Sequence, residues 1–140
     1  MTEALTHGAG QDLLAAWKRA WEARDVDALV ALFAEEGDMR LDPFEEPLVG
    51  ELALRTHWTA FAERTVHTEL DAERIWVRDR TVLASWHAAY TRRDAGGERV
   101  RAYGFMTAEM NDAGKVWRMR QWPVERVVGQ DSTFKPKVDQ

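Results

Sequence analysis

Two residues in this chain have the right chemistry to move a proton: Asp42, followed directly by Pro43, and His87, set between Trp86 and Ala88. Burial against an apolar wall raises an aspartate's pKa and makes it a usable general base. An imidazole titrates near neutrality and can serve as acid or base. Asp42 and His87 are therefore the candidate catalytic residues. Asp-Pro also opens turns, so the Asp42 carboxylate has a second reading as an Asx turn bonded to its own backbone. For His87 strand parity decides, because Val82, Ala84, Trp86, Ala88 and Tyr90 form the more apolar face and leave His87 opposite unless a bulge intervenes. His57 is expected at a solvated or rim position, His67 at a strand start and His7 in the lead. No two histidines have metal-ligand spacing and cysteine is absent, so no metal, thiolate or disulfide chemistry is expected.

Large apolar side chains supply a candidate pocket. Trp17, Trp21, Trp58 and Phe61 fall on the apolar stripes of two helices, and Met106, Met110, Met119 and Gln121 fall on strands. They make either ordinary core or an aromatic and thioether wall for a small apolar or aromatic molecule. Tyr103, Phe105, Arg120 and Trp122 fall on the opposite strand face, a composition that suits a homodimer interface.

The elements that must hold these residues follow from periodicity. Leu13, Leu14, Trp17 and Trp21 mark an amphipathic helix between Gly10 and Arg24. Asp25 reads as the N-cap of a second helix, Val26 to Glu36, stopped by Gly37. A short strand spans Asp38 to Asp42, and a third helix runs from Glu51 to Arg64. Turn clusters at Asp79-Arg80, Asp94-Ala95-Gly96-Gly97 and Asn111-Asp112-Ala113-Gly114 divide the rest into Val66–Val77, Thr81–Arg93, Glu98–Met110 and Lys115–Val128. That is an antiparallel meander of long strands, which must twist and curl, with Gly104 a candidate bulge. The expected fold is α+β, a cone of three helices against a strongly curved, mostly antiparallel sheet, with a pocket at its open end. One domain covers 11–128, between a flexible lead (1–10) and a flexible tail (129–140).

Composition narrows the function classes. At 140 residues the chain has room for one domain, and 45% hydrophobic content excludes disorder as its main state. A net charge of −5 and a pI near 5.4 leave no basic footprint for nucleic acid. No apolar run approaches the ~20 residues of a membrane helix, and the N-terminus has no signal-peptide pattern, so a cytoplasmic protein is expected.

Several stretches together resemble the SnoaL-like branch of the nuclear transport factor 2-like superfamily. They are Ala23-Arg24-Asp25-Val26-Asp27-Ala28-Leu29, Asp42-Pro43-Phe44, Pro47-Leu48-Val49-Gly50 before Arg55-Thr56-His57-Trp58, and Asn111-Asp112-Ala113-Gly114-Lys115-Val116 before Met119-Arg120-Gln121-Trp122. The resemblance implies the same cone and a cofactor-independent lyase, isomerase or cyclase acting on a polyketide-like or aromatic substrate. A non-catalytic ligand-binding or dimerisation module of the same fold is the alternative. In the related ketosteroid isomerases an Asp-Pro aspartate abstracts the proton, which matches Asp42-Pro43 within a one-residue slip. Their oxyanion-hole Tyr and Asp fall on Trp17 and Met106 here, and a supporting Tyr falls on Trp58, so the ketosteroid reaction itself is not expected. The epoxide hydrolases' Arg-x-Asp is absent from the long strands. The Asp/His pair of the dehydratases and cyclases puts the weight of any such reading on His87.

Overall fold

The computed structural model describes residues 3–135. Helix α1 (His7–Ala23) begins three residues before Gly10, because the Thr6 side chain accepts from the Ala9 N–H at 3.0 Å and caps it. Asp25 does the same for α2 (Val26–Ala31), accepting from Ala28 N–H at 3.1 Å. Strands β1 (Phe33–Arg40) and β2 (Leu48–Val49) follow, then α3 (Gly50–Arg64). The remainder is β3 (Thr65–Arg78), β4 (Thr81–Arg92), β5 (Glu98–Met110) and β6 (Val116–Gln130).

The six strands form one sheet in the order β2-β1-β6-β5-β4-β3, antiparallel throughout except for the β1–β6 pair. Helix α1 lies over the face carrying Leu70, Val82, Ala84, Ala88, Met106 and Met119, and these join Leu13, Leu14, Trp17, Leu29, Leu54 and Trp58 in one apolar core. Lys18 Nζ donates to the Leu70 carbonyl at 2.7 Å, and the Leu70 N–H donates to Glu22 Oε2 at 2.9 Å, so the helix is stitched to edge strand β3.

The chain departs from its sequence pattern at α2. The helix stops at Ala31 rather than Glu36, and Gly37 lies inside β1 rather than after a helix. Residues 34–36 are reasonable helix formers, but they sit where β1 and β6 pair with a shifted register between Phe33 and Asp38. A Cβ on Gly37 would stand 2.7 Å from the Val116 carbonyl oxygen, so tertiary pairing fixes both the strand and its glycine. Gly104 makes no bulge either. It pairs in register with Trp86 and Pro123, and a Cβ there would stand 2.2 Å from the Trp86 ring. Its missing side chain is the space in which that indole lies. The bulges occur instead within Val66/Glu69, Ala72/Arg74, Arg99/Val100 and Glu109/Met110.

The start of the expected flexible tail is held. Gly129 and Gln130 belong to β6, and the Asp131 N–H donates to the Gly97 carbonyl at 2.9 Å. Asp131 Oδ2 lies 2.6 Å from His67 Nδ1 and accepts from Thr91 Oγ1 at 2.5 Å. Hydrogen bonds from His67, then Thr133, then Thr91 hold this carboxyl well below the usual carboxylate range. Residues 1–2 of the lead and 136–140 of the tail lie outside the described residues. No helix among the described residues is long and apolar enough to cross a membrane.

Candidate functional site

Between the helices and the sheet lies a cavity of about 480 Å³, a volume within the roughly 300–1,000 Å³ of small-molecule sites. Helix α1 contributes Trp17 and Trp21, which share a face by their i, i+4 spacing. Helix α3 contributes His57, Trp58 and Phe61, with Arg64 one turn further on. The rings meet edge to face: Trp17 and Trp58 at 5.4 Å, Trp58 and Phe61 at 5.9 Å, Phe61 and Tyr90 at 6.2 Å. Stiff rings in this arrangement brace one another without closing the space between them. Opposite them the sheet offers small residues, Ala88, Ala102 and Pro123, together with Trp86, Tyr90 and Gln121.

The polar groups fall into an inner and an outer set. Inside, the Trp86 indole N–H donates to Gln121 Oε1 at 3.0 Å, and Gln121 Nε2 faces the sulfurs of Met119 (3.4 Å) and Met106 (3.9 Å). At the mouth, Tyr90 stands beside Glu125 and Arg92, whose charged groups are 3.5 Å apart, and Asp94 and Ala95 of the β4–β5 turn complete the rim. Burial, reinforced by the Glu125 carboxylate, pushes the Tyr90 phenol up to about 12, so it stays protonated. Burial, followed by the nearby Arg64 cation, lowers the His57 pKa below 6.5 and keeps the imidazole neutral at neutral pH. The cavity thus borders a neutral base and a protonated phenol. Among the described residues, no His, Asp and Glu cluster could hold a metal ion.

Residues 14–119 match the family model described as SnoaL-like domain. The chain belongs to the SnoaL-like domain family. Solved structures of the same fold include an M. tuberculosis LEH-like epoxide hydrolase, at 19% identity and TM-score 0.69 over 84% of each chain. A second is SalBIII, an epoxide hydrolase/cyclase-like enzyme of pyran ring formation in the polyether salinomycin. It has 18% identity and TM-score 0.76 over 85% of this chain and 95% of its own. A third, from Catenulispora acidiphila, has a ketosteroid isomerase-like fold, with 11% identity and TM-score 0.71 over 79% of this chain and 84% of its own. At these identities the likeness is one of fold. No curated protein sequence matches the chain significantly.

Within this SnoaL-like domain the expected site residues separate. Trp17, Trp21, Trp58, Phe61 and Gln121 share the cavity wall. Met106 and Met119 lie behind Gln121, at most 1% exposed, and Met110 is buried at the end of β5; none of the three lines the cavity. Their inward parity holds, but the core fills the space in front of them. Asp42 is corrected from the cavity wall to the surface: it is exposed, and its Oδ1 accepts from the Phe44 N–H at 2.9 Å in a tight turn. The physical reason is that β1 ends at Arg40, so Asp42 opens the turn at Pro43 and its carboxylate is spent on that turn's own backbone. His87 is likewise no cavity residue, the position that the parity of β4 gives it in the absence of a bulge. It sits on the outer face beside Tyr103, with ring centroids 6.0 Å apart, and borders a separate charged depression with Lys18, Asp71 and Arg101. No bulge between Thr81 and Arg92 in the β4–β5 register reverses its parity.

Sequence reasoning missed His57, Trp86, Tyr90, Arg92 and Glu125. The signals were present: Trp86 and Tyr90 lie on the apolar alternation of β4, and Glu125 shares the parity of Gln121. On the outer face Tyr103 is 52% and Trp122 45% exposed, and Phe105 packs between Trp76 and Trp122 at 6.2 and 6.3 Å. Arg120 is tied to Asp38 of its own chain at 2.6 Å.

Proposed function

We propose that this SnoaL-like protein is a cofactor-independent isomerase or cyclase that takes a flat, largely apolar molecule into the aromatic cavity and moves a proton on it with His57 and Tyr90. The observation that carries this reading is that one cavity is lined both by an imidazole kept neutral, on α3, and by a phenol kept protonated, on β4. His57 takes a proton from a carbon beside a carbonyl. The C–H electron pair moves into the new C=C bond, and the carbonyl oxygen becomes an enolate that accepts a hydrogen bond from Tyr90. The imidazolium then returns the proton to another carbon, or the enolate carbon closes a ring by attacking a second carbonyl carbon of the same molecule, whose C=O pair moves onto its oxygen and takes the proton back from the imidazolium. Asp42 has no part, because its carboxylate is turned to solvent. The ring-forming and epoxide-opening activities named for two proteins of the same fold are in keeping with such a cavity.

The test is hydrogen–deuterium exchange at the α-carbon of 1-tetralone, followed by NMR in D2O. Acceleration of about 10² or more over buffer is expected. His57→Gln is expected to return the rate to that of buffer while 1-tetralone still binds. The rate should rise with pH through an inflection below 6.5, because only the neutral imidazole is a base. Binding without exchange would overturn the catalytic reading and leave a ligand-binding module. We further propose that a second copy covers the outer face at Tyr103, Phe105 and Trp122. Light scattering is expected to give a dimer for the native chain and a monomer for Trp122→Glu; a monomeric native chain would refute this.

A further inference from the structure

We infer that the cavity takes an aromatic carboxylate, its ring among the tryptophans and its charge on the Arg64 guanidinium at the mouth. This deepens the reading of the cavity as a ligand site and rests on it. His57, Phe61 and Arg64 fall at i, i+4 and i+7 of α3 and all three line the cavity, so the helical stripe that walls it ends in a cation.

An arginine in the last turn of a helix ordinarily serves that turn's free carbonyls. Here other groups take them. The Phe61 carbonyl accepts from Thr65 Oγ1 at 2.7 Å, the Ala62 carbonyl from Arg24 Nη1 at 3.1 Å, and the Arg64 carbonyl from the Arg93 N–H at 2.8 Å. The Arg64 guanidinium has no ion-pair partner among the described residues. Arg92, the other arginine of the mouth, stands 3.5 Å from Glu125 and 3.8 Å from Glu98, so its charge is met within the chain.

Two carboxylates share the rim. Glu125 is met by Arg92, whereas Asp94 has no ion pair among the described residues and opposes an anion. The imidazole on the wall reports which free charge reaches inward. Beyond burial, Arg64 is the charge that lowers the His57 pKa, and no carboxylate offsets it there. The uncompensated field beside the rings is therefore positive and comes from α3. A planar guanidinium grips a carboxylate through two parallel N–H···O bonds, and a single cation matches a single negative charge.

The probes are 2-naphthoate, 2-naphthamide and 2-naphthylmethylammonium, which share a ring system and differ in charge. They are titrated by calorimetry at neutral pH into the native chain, Arg64→Gln and Arg93→Gln, with folding of each checked by circular dichroism. Arg93 is exposed and lies outside the cavity lining, so its substitution removes a neighbouring charge without touching the proposed contact. The native chain is expected to bind the naphthoate about fivefold tighter than the amide, and the ammonium most weakly. Arg64→Gln should abolish that preference while moving amide affinity by about twofold or less, and Arg93→Gln should keep it. Equal affinity for naphthoate and amide in the native chain, tighter binding of the ammonium, or a preference that survives Arg64→Gln or falls equally in Arg93→Gln would overturn the inference and leave the cavity a ligand site. Failure of all three probes to bind would overturn the cavity reading itself and this inference with it.

Discussion

The inner face of the sheet is treated in opposite ways at its two ends. At one end Met39, Met106 and Met119, each at most 1% exposed, pack with Leu29 and Val116 into a solid core. At the other, the sheet presents Ala88, Ala102 and Pro123, and the helices present Trp17, Trp21, Trp58 and Phe61 across a gap. Unbranched thioethers have the rotamers to fill an irregular space. Fused and planar rings do not, and over small residues they enclose a void. Side-chain stiffness, as much as volume, decides which half of this SnoaL-like domain is structure and which is site.

Met119→Ala breaks the solid end and carries the largest expected effect, a loss of about 2–5 kcal/mol in urea unfolding. Gly104→Ala acts at the boundary: its methyl must displace the Trp86 ring, costing about 1–3 kcal/mol in the same measurement and weakening 1-tetralone binding. Ala102→Leu fills the hollow end. Because space exists there, its stability should change by less than about 1 kcal/mol, smaller than ordinary overpacking, while calorimetry finds 1-tetralone binding lost. If Ala102→Leu destabilises as much as Met119→Ala, the two ends do not differ as described. The smallest effect belongs to neither end. Asp131 has a folded pKa below its ordinary 3.8, so its stabilising contribution is whole above that value and is lost as pH falls below it. Asp131→Asn should be less stable at neutral pH and lose less on acidification, as read from urea midpoints across that range.

Much of the fold was legible because its breakers are strong. Asp94 to Gly97 and Asn111 to Gly114 delimit β5 at Glu98–Met110, where the turn residues placed it. The α2–β1 boundary was illegible because Ala34, Glu35 and Glu36 favour a helix locally and are drawn into the strand as the irregular stretch between Phe33 and Asp38, the residues that pair with β6. For the site, helix stripes gave the four aromatic wall residues directly. The methionines show the limit of parity: it places a side chain on the inner face but says nothing of what packs in front of it. Asp42 shows one signal with two readings, of which the Asx turn is the one formed, since β1 has ended at Arg40 and the carboxylate accepts from Phe44 N–H. Tyr90 and Glu125 were on the correct face, yet their roles depend on proximity between β4 and β6, two strands separated by β5.

The stitch between α1 and β3 has a consequence for assembly. An open strand edge offers its amide groups as a template on which a neighbour's strand can polymerise. Here Glu22 and Lys18 occupy both backbone groups of Leu70, the residue at which β3 faces α1. Recruitment of a further strand at that point must first unseat the helix, so the molecule is guarded against end-to-end fibre growth along this border.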